Sequence, residues 1–334
     1  MAASFLIIQT AFIGDVILAT GVIEKLKKHY PDAQIDFMVR KGNEGIVKDH
    51  PYLNTIYIWD KKGGKYKNLW KILKQVRHQK YSYVINLQRY ATTGWFTLLS
   101  GANTTIGFDK NPLSRFFDKV VPHVFDGKHE IERNHTLIRD LTDTIPGQPR
   151  LYPSAADFEI VVPYKKQPYI CIAPTSVWFT KQFPADKWIE LIHQLSNIYS
   201  VYLVGAPTDW DICENIRVSS QQGNVYNLAG KLSLLVSAAL MQDAVMNYVN
   251  DSAPMHLSSA MNAPVCAVYC STIPAFGYGP LSDQSFVVEV EEKLACRPCG
   301  LHGHKACPEG HFKCARNIGV SQLKVGKVEM TVLN

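Results

Sequence analysis

Three loops of this 334-residue sequence place groups that could do chemistry directly after an apolar run. The first loop, Gln9–Asp15, follows the run Phe5–Ile8 and ends with Gly14 and Asp15. A carboxylate there could accept a proton from a nucleophilic hydroxyl, or it could simply be the N-cap of the next helix. The loop lacks the three glycines of a dinucleotide-binding fingerprint, which argues against a nicotinamide oxidoreductase.

The second loop, Pro174–Pro184, carries Thr175, Ser176 and Lys181 between an apolar run and an amphipathic segment. Two hydroxyls and a lysine at the mouth of a helix suit a phosphate group, which accepts hydrogen bonds and attracts positive charge. The alternative is an ordinary solvated lysine with no ligand. The loop is therefore a candidate phosphate site.

The third loop, Asn250–His256, follows another apolar run, and we expect Asp251 to cap the helix that continues through His256. The amides at a helix N-terminus, with about half a positive charge, could hold a diphosphate without a metal. The alternative is a simple capped helix with His256 packed on its inner face.

The elements around these loops predict parallel sheets, because apolar strand-like runs alternate with segments of helical periodicity. The predicted strands are Phe5–Ile8, Gln34–Val39, Asn54–Trp59, Tyr81–Leu87, Tyr169–Ala173, Val201–Val204, Ala244–Val249 and Val265–Tyr269. The predicted helices are Asp15–His29, Lys65–Gln79, Pro184–Tyr199, Thr208–Val218, Ser233–Gln242 and Ala253–Met261.

The alternating pattern weakens over residues 142–166, where proline and glycine interrupt it. We therefore expect two doubly wound α/β domains, residues 1–155 and 156–334. In such a pair the natural ligand site is a cleft where the carboxyl ends of both sheets face each other.

The loop motifs, taken in order, resemble glycosyltransferase family nine, the lipopolysaccharide heptosyltransferases. The matching pieces are Gly14-Asp15, Thr175-Ser176 with Lys181, Phe183-Pro184 and Trp188, Gly205-Ala206-Pro207, Asn227–Gly230, and Asn250–Ser252 with Met255-His256. The resemblance implies a GT-B fold with two Rossmann-like domains and an inverting transfer that needs no metal or other cofactor. It implies an amino-terminal acceptor domain and a carboxy-terminal domain for the nucleotide-sugar donor, ADP-heptose.

The resemblance also implies roles for individual residues. Asp15 would be the general base, with Thr10 and Gly14 in the acceptor-side loop. The residues implied for the donor are Thr175, Ser176 and Lys181 at the diphosphate, Asp251, Ser252, Ala253 and His256 at the nucleotide, and Asp209 or Asp211 at the ribose. One position departs from the family pattern, because Ala253 and Pro254 stand where members commonly have glycine after Asp-Ser or Asp-Thr.

A lysine-rich segment in the first predicted domain has two interpretations. Lys61, Lys62 and Lys65 precede or open the amphipathic helix Lys65–Gln79, whose charged face could be merely solvated. Alternatively, these lysines contact the carboxylates or phosphates of an anionic lipopolysaccharide core, and the helix attracts the enzyme to the inner face of the membrane.

Composition agrees with an anionic small-molecule or membrane partner. Lysines and arginines number 35 against 29 aspartates and glutamates, a net charge of +6, which is too weak an excess to argue for nucleic acid. No apolar run approaches the ~20 residues of a membrane span, and no signal peptide is evident. The resemblance, which implies a lipid-linked acceptor, adds the expectation of a cytoplasmic protein that is peripheral to the inner membrane.

Four of the eight cysteines, Cys296, Cys299, Cys307 and Cys314, crowd the last forty residues. Such a cluster could bind a structural zinc, remain as free thiols or form disulfides, and the six-residue gap between the last two fits zinc poorly. Other interpretations of the chain are a non-catalytic nucleotide-sugar binding protein on the same fold, a glycosyltransferase with another donor, and a zinc-dependent nucleic-acid module at the tail.

Overall fold

The computed structural model of the chain describes residues 2–323. They form twelve strands, β1 (Ser4–Ile8), β2 (Gln34–Arg40), β3 (Thr55–Trp59), β4 (Tyr83–Asn86), β5 (Thr104–Phe108), β6 (Lys119–Val121), β7 (Tyr169–Ala173), β8 (Ser200–Leu203), β9 (Val225–Asn227), β10 (Met246–Asn250), β11 (Val265–Tyr269) and β12 (Ser285–Glu289). The helices are α1 (Ile13–His29), α2 (Lys65–Gln79), α3 (Ala91–Leu99), α4 (Glu130–Thr136), α5 (Ala155–Val161), α6 (Ala185–Leu195), α7 (Trp210–Ser220), α8 (Leu234–Gln242), α9 (Ala253–Ala260) and α10 (Lys313–Arg316). None of these helices is long and apolar enough to cross a membrane.

The chain divides into two compact units between Tyr152 and Pro153. The first unit holds a six-stranded sheet in the order β3-β2-β1-β4-β5-β6, and each neighbouring pair is parallel. The central strands β1 and β4 are largely apolar because helices cover both faces of a parallel sheet. Strand β1 lies in the middle, so the loop Gln9–Asp15 leaves the sheet at the centre of its carboxyl edge.

The second unit repeats this architecture with the order β12-β11-β10-β7-β8-β9, again with parallel pairs. Strands β7 and β10 are neighbours although about seventy residues separate them. Their carboxyl ends therefore bring the second and third candidate loops together. A core that includes the fully buried Trp188 supports this edge from α6.

The predicted strands and helices are present, most of them with small shifts at their ends. Several elements were not predicted: β5, β6, β9, β12, α3, α4, α5 and α10. Helix α3 contains Gly94 and β-branched threonines, which favour helix weakly, and strands β6 and β9 have three residues each. Such elements depend on tertiary packing, and their local sequence gives little periodic signal.

Candidate active site

Asn250, at the end of β10, ties the second and third loops together. Its side-chain Nδ2 donates to the carbonyl oxygens of Ala173 (3.3 Å) and Thr175 (3.4 Å), and its Oδ1 accepts from the Phe183 amide at 2.8 Å. Asn250 is completely buried, where unpaired amide groups would be costly. These three bonds fix the path of the loop that carries Ser176 and Lys181.

Lys181 and Asp251 form an ion pair, with Nζ 2.6 Å from Oδ2. Both side chains are largely buried, so the solvated-lysine alternative is wrong. Thr272 Oγ1 also donates to Asp251 Oδ2 at 2.7 Å. The expectation that Asp251 caps α9 is wrong as well, because its carboxylate is engaged by these two groups and Ser252 is the N-cap residue.

The side chain of the N-cap residue Ser252 makes no capping hydrogen bond to the first turn of α9. The Ser252 hydroxyl bonds instead to the carbonyl oxygen of Asn250 at 3.4 Å, and Pro254 in the first turn has no amide hydrogen. Thr175, Ser176, Lys181, Asp251, Ser252, Ala253 and His256 therefore lie in or directly after two adjoining loops. A cation and helix amides at one sheet edge could hold an anion.

Asp209 and Asp211 lie further along the same sheet, beyond β8. The Asp209 carboxylate accepts from the Ala206 amide at 2.8 Å, and Asp211 is exposed in the first turn of α7. Next to them is a cavity of about 490 Å³ along the edge strand β9, where Lys231 lies 4.9 Å from the centre of the Trp210 ring. The structure records no bond from either aspartate to Lys181 or Asp251.

The Cys/His-rich tail packs directly against the Lys181 loop, which its distance along the chain did not predict. Thr180 is buried, and its Oγ1 accepts from the His304 amide at 2.7 Å and from the Ser271 hydroxyl at 3.0 Å. Arg297 donates to the carbonyl oxygens of Cys270 and Thr272, each at 2.7 Å. The tail thus supports the segment that directly follows β11.

All eight cysteines are free thiols, and the four tail cysteines lie near one another. Cys296 Sγ is 4.0 Å from His311 Nε2, and the Cys299 thiol donates to the Cys296 carbonyl. Burial and then the neighbouring thiols raise the pKa of Cys314 to about 11. Over residues 2–323, no group of three or more histidine, cysteine or acidic side chains is arranged to hold a metal ion.

In the first unit, Asp15 occupies the third position of α1 and is not its N-cap, which corrects the sequence-based expectation. Phe12 is the N-cap residue, and its amide donates to Asp15 Oδ2 at 3.1 Å. The carboxylate thus turns back over the helix N-terminus, as in the acidic half of a capping box. Gly14 lies between them in the first turn.

Lys61 reaches the same loop from the end of β3. Its Nζ donates to the Thr10 carbonyl oxygen at 2.7 Å, and it lies 4.7 Å from the centre of the Trp59 ring. Burial, followed by the charges of Arg40 and Lys65, lowers the pKa of Lys61 to about 8. An anion bound here would offset that repulsion.

The other two predicted lysines, Lys62 and Lys65, do not share the contact of Lys61 with the Thr10 carbonyl oxygen. Lys65 lies over the rings of Trp59 and Tyr66, and the side chain of Lys62 is exposed. Arg40 was missed, although it ends β2 and stacks 4.9 Å from the centre of the Phe12 ring. Its position at a strand's carboxyl end was the signal that could have revealed it.

Comparison with known proteins identifies the family. The model of glycosyltransferase family 9 (heptosyltransferase) matches residues 69–309, more than two thirds of the chain. The chain belongs to glycosyltransferase family 9. This family-9 chain is 30% identical over 277 residues to lipopolysaccharide heptosyltransferase 3 of Escherichia coli, covering 78% of this chain and 82% of that protein. It is 25% identical over 322 residues to lipopolysaccharide heptosyltransferase 1 of Pseudomonas aeruginosa, covering 88% and 85%.

The fold comparison agrees with the family assignment. The structure of E. coli ADP-heptose lipopolysaccharide heptosyltransferase II matches with a TM-score of 0.80 at 20% identity, covering 96% of each chain. The resemblance to heptosyltransferases and the expected GT-B fold are therefore confirmed. The family-9 chain is a glycosyltransferase, which removes the oxidoreductase and non-catalytic interpretations.

Proposed function

We propose that this glycosyltransferase moves a heptose from ADP-heptose to a lipopolysaccharide inner-core acceptor with inversion at the anomeric carbon. The observation that carries the proposal is the joined pair of loops, in which the Lys181–Asp251 ion pair lies beside the N-terminus of α9. The bond from the anomeric carbon to the diphosphate oxygen breaks, and its electron pair leaves with ADP. The acceptor oxygen forms the new bond and loses its proton.

We assign donor binding to the second unit. Lys181 and the first-turn amides of α9 supply positive charge where negative charge develops on the departing diphosphate. Asp251 pairs with Lys181, so a diphosphate bound here must share this lysine with Asp251 or displace it. Thr175 and Ser176 would contact the diphosphate, while Ser252, Ala253, His256 and either Asp209 or Asp211 would contact the nucleoside.

We assign acceptor binding to the first unit, with Asp15 as the general base. The hydrogen bond from the Phe12 amide holds one oxygen of the Asp15 carboxylate in place. Thr10 and Gly14 line the same loop, and Lys61 binds to it through the Thr10 carbonyl oxygen. Lys61, Lys62 and Lys65, with Arg40 beside them, would meet anionic groups of the acceptor.

Such an acceptor is a lipid, so we place the enzyme in the cytoplasm at the inner membrane surface. Helix α2 supports this placement, because exposed Tyr66 (70%) and Trp70 (56%) stand among its lysines. Aromatic rings at an anionic interface bury apolar surface while nearby lysines meet the headgroups. The buried face of the helix is formed by Ile72, Leu73 and Val76.

The transfer assay uses the purified full-length chain, an inner-core lipopolysaccharide acceptor and either ADP-heptose or UDP-glucose, with and without a chelator. We expect a mass increase of one heptose from ADP-heptose, in either condition. Transfer only from UDP-glucose would contradict the proposed donor. Addition of heptose only to acceptors without lipid would contradict the proposed membrane substrate.

A further inference from the structure

The tail holds the backbone of residues 269–272, at the carboxyl end of β11. The Arg297 guanidinium donates to three of their four carbonyl oxygens, at distances from 2.7 to 3.3 Å, and the Cys299 amide donates to the fourth at 2.8 Å. Glu289, at the end of β12, also accepts from Arg297, so the guanidinium charge has a carboxylate partner. Because a guanidinium presents its donors in a fixed plane, these bonds determine the path of the segment.

This segment carries Thr272, whose hydroxyl reaches the ion pair of the second unit. Thr272 is 1% exposed. Its Oγ1 donates to Asp251 Oδ2 at 2.7 Å, and Lys181 Nζ lies 2.6 Å from the same oxygen. A carboxylate oxygen can accept two hydrogen bonds, so the uncharged hydroxyl and the lysine share it.

The tail also contacts the loop on the lysine side of the pair. The Thr180 amide donates to the His304 carbonyl oxygen at 3.1 Å, and the His304 amide donates to Thr180 Oγ1 at 2.7 Å. Gly303 has a φ of +74°, and a Cβ there would lie 2.8 Å from Thr180 Oγ1 and 3.1 Å from Lys181 Cγ. Glycine is therefore required at this close approach. One short tail segment thus lies against the loops of both partners of the ion pair.

We propose that Thr272 and Arg297 are positioning residues for donor binding. Arg297 fixes the segment that keeps the Thr272 hydroxyl on Asp251. This hydroxyl is the partner that Asp251 retains when Lys181 turns to the diphosphate, which lowers the cost of the exchange for a largely buried carboxylate. The inference rests on the proposed donor site at Lys181 and deepens it.

The substitution Thr272→Val tests the hydroxyl, because valine keeps the shape of the side chain and removes its donor. Asp251 would then hold Lys181 against the incoming diphosphate. ADP should bind about tenfold more weakly in calorimetry, because a hydrogen bond to a charged group is lost. Thr272→Ser keeps the hydroxyl and should bind ADP within about twofold of the wild type.

The substitution Arg297→Gln tests the support of the segment. Glutamine cannot replace the several donors of the guanidinium, so ADP should bind roughly threefold to tenfold more weakly. The donor KM should rise by a similar factor while the acceptor KM stays unchanged, whereas a general loss of structure would change both. Arg297→Lys keeps a charge for Glu289 and should restore part of the affinity. Arg316→Gln, at an exposed arginine of α10 in the same tail, is the matched control and should bind ADP as the wild type does.

A double-mutant cycle tests whether Arg297 acts through Thr272. In Thr272→Val the hydroxyl is already absent, so adding Arg297→Gln should cost little further ADP affinity. Melting curves accompany each titration, and Arg297→Lys replaces Arg297→Gln in the cycle if that variant does not fold. Equal losses from the arginine substitution in both backgrounds would overturn the inference, because Arg297 would then act by another route.

The outcomes distinguish the inference from the proposed function. If Lys181→Ala binds ADP as tightly as the wild type, the proposed donor site itself is wrong. If Lys181→Ala weakens ADP binding but Thr272→Val does not, the positioning role alone is overturned. A loss in Thr272→Ser equal to that in Thr272→Val would also overturn it, since the methyl group and not the hydroxyl would then be the group that matters.

Discussion

At the scale of single residues, the two lysines of the candidate site each have a partner within the protein. Lys181 is paired with Asp251, and Lys61 donates to a backbone oxygen under repulsion from Arg40 and Lys65. The two lysines therefore differ in what a bound anion would change. At Lys181 it competes with a carboxylate, whereas at Lys61 it relieves a surplus of positive charge.

Lys181→Ala should weaken ADP binding by about tenfold to a hundredfold, because a charge-assisted contact is worth roughly 1.5–3 kcal/mol. Calorimetry with ADP measures the change. Lys187→Ala serves as the matched control, because Lys187 pairs with Glu190 on the same unit and should leave ADP affinity unchanged. Equal affinities for the wild type and Lys181→Ala would place the diphosphate elsewhere.

Acceptor binding should weaken as the pH rises through about 8, because the pKa of Lys61 is lowered to about 8 and the lysine then loses its charge. The acceptor KM measured from pH 7 to 9.5 tests this sign. In Lys61→Arg the guanidinium stays charged over that range, so its KM should be nearly flat. A rise in KM that is identical in both proteins would assign the titration to another group.

At the scale of elements, α2 and the cysteine-rich tail have roles that the sequence left open. The buried side of α2 packs into the first unit, and its outer side carries lysines with two exposed aromatic rings. The tail bonds to Thr180 in the Lys181 loop, and its Arg297 bonds to the Thr272 carbonyl oxygen in the segment after β11. The role of α2 depends on which of its side chains are exposed, and a helical period alone does not determine exposure. The role of the tail depends on hydrogen bonds between residues that are far apart in the sequence.

Tyr66→Ser/Trp70→Ser should reduce binding to vesicles of anionic phospholipid severalfold, because interfacial apolar area is lost. Co-sedimentation measures the bound fraction, and Lys61→Glu/Lys62→Glu/Lys65→Glu should reduce it further while raising the acceptor KM. Trp95→Ser is the control, since Trp95 is exposed to a similar degree (57%) on α3. Unchanged vesicle binding in both sets of variants would leave α2 as a solvated helix.

Thiol labelling of the native protein should modify Cys296 and Cys307 well before Cys314. The reason is that Cys314 is buried and its pKa is raised to about 11, so its thiolate is scarce at pH 8. Mass spectrometry of single-site adducts over time gives the order. Protection of all four tail thiols that ends when a chelator is added would contradict free thiols and favour the metal-bound interpretation.

At the scale of the whole molecule, the sequence predicted two parallel sheets because their central strands are continuous apolar runs. It also predicted which loops matter, since each follows a strand that ends at the carboxyl edge. It did not predict that Asp251 pairs with Lys181 or that the His304 amide bonds to Thr180. Those contacts join residues tens of positions apart, and only strand order and helix packing bring them together.

The central claim is that a base in the first unit acts on the acceptor while the second unit binds the donor. Asp15→Asn tests it most directly, in a single-turnover transfer from ADP-heptose combined with calorimetry for ADP. The account predicts a transfer rate ~10²–10⁴-fold lower with ADP affinity unchanged, because loss of a general base slows only proton removal. Transfer at the wild-type rate by the folded variant would contradict it and leave Asp15 with the role of completing the N-terminus of α1.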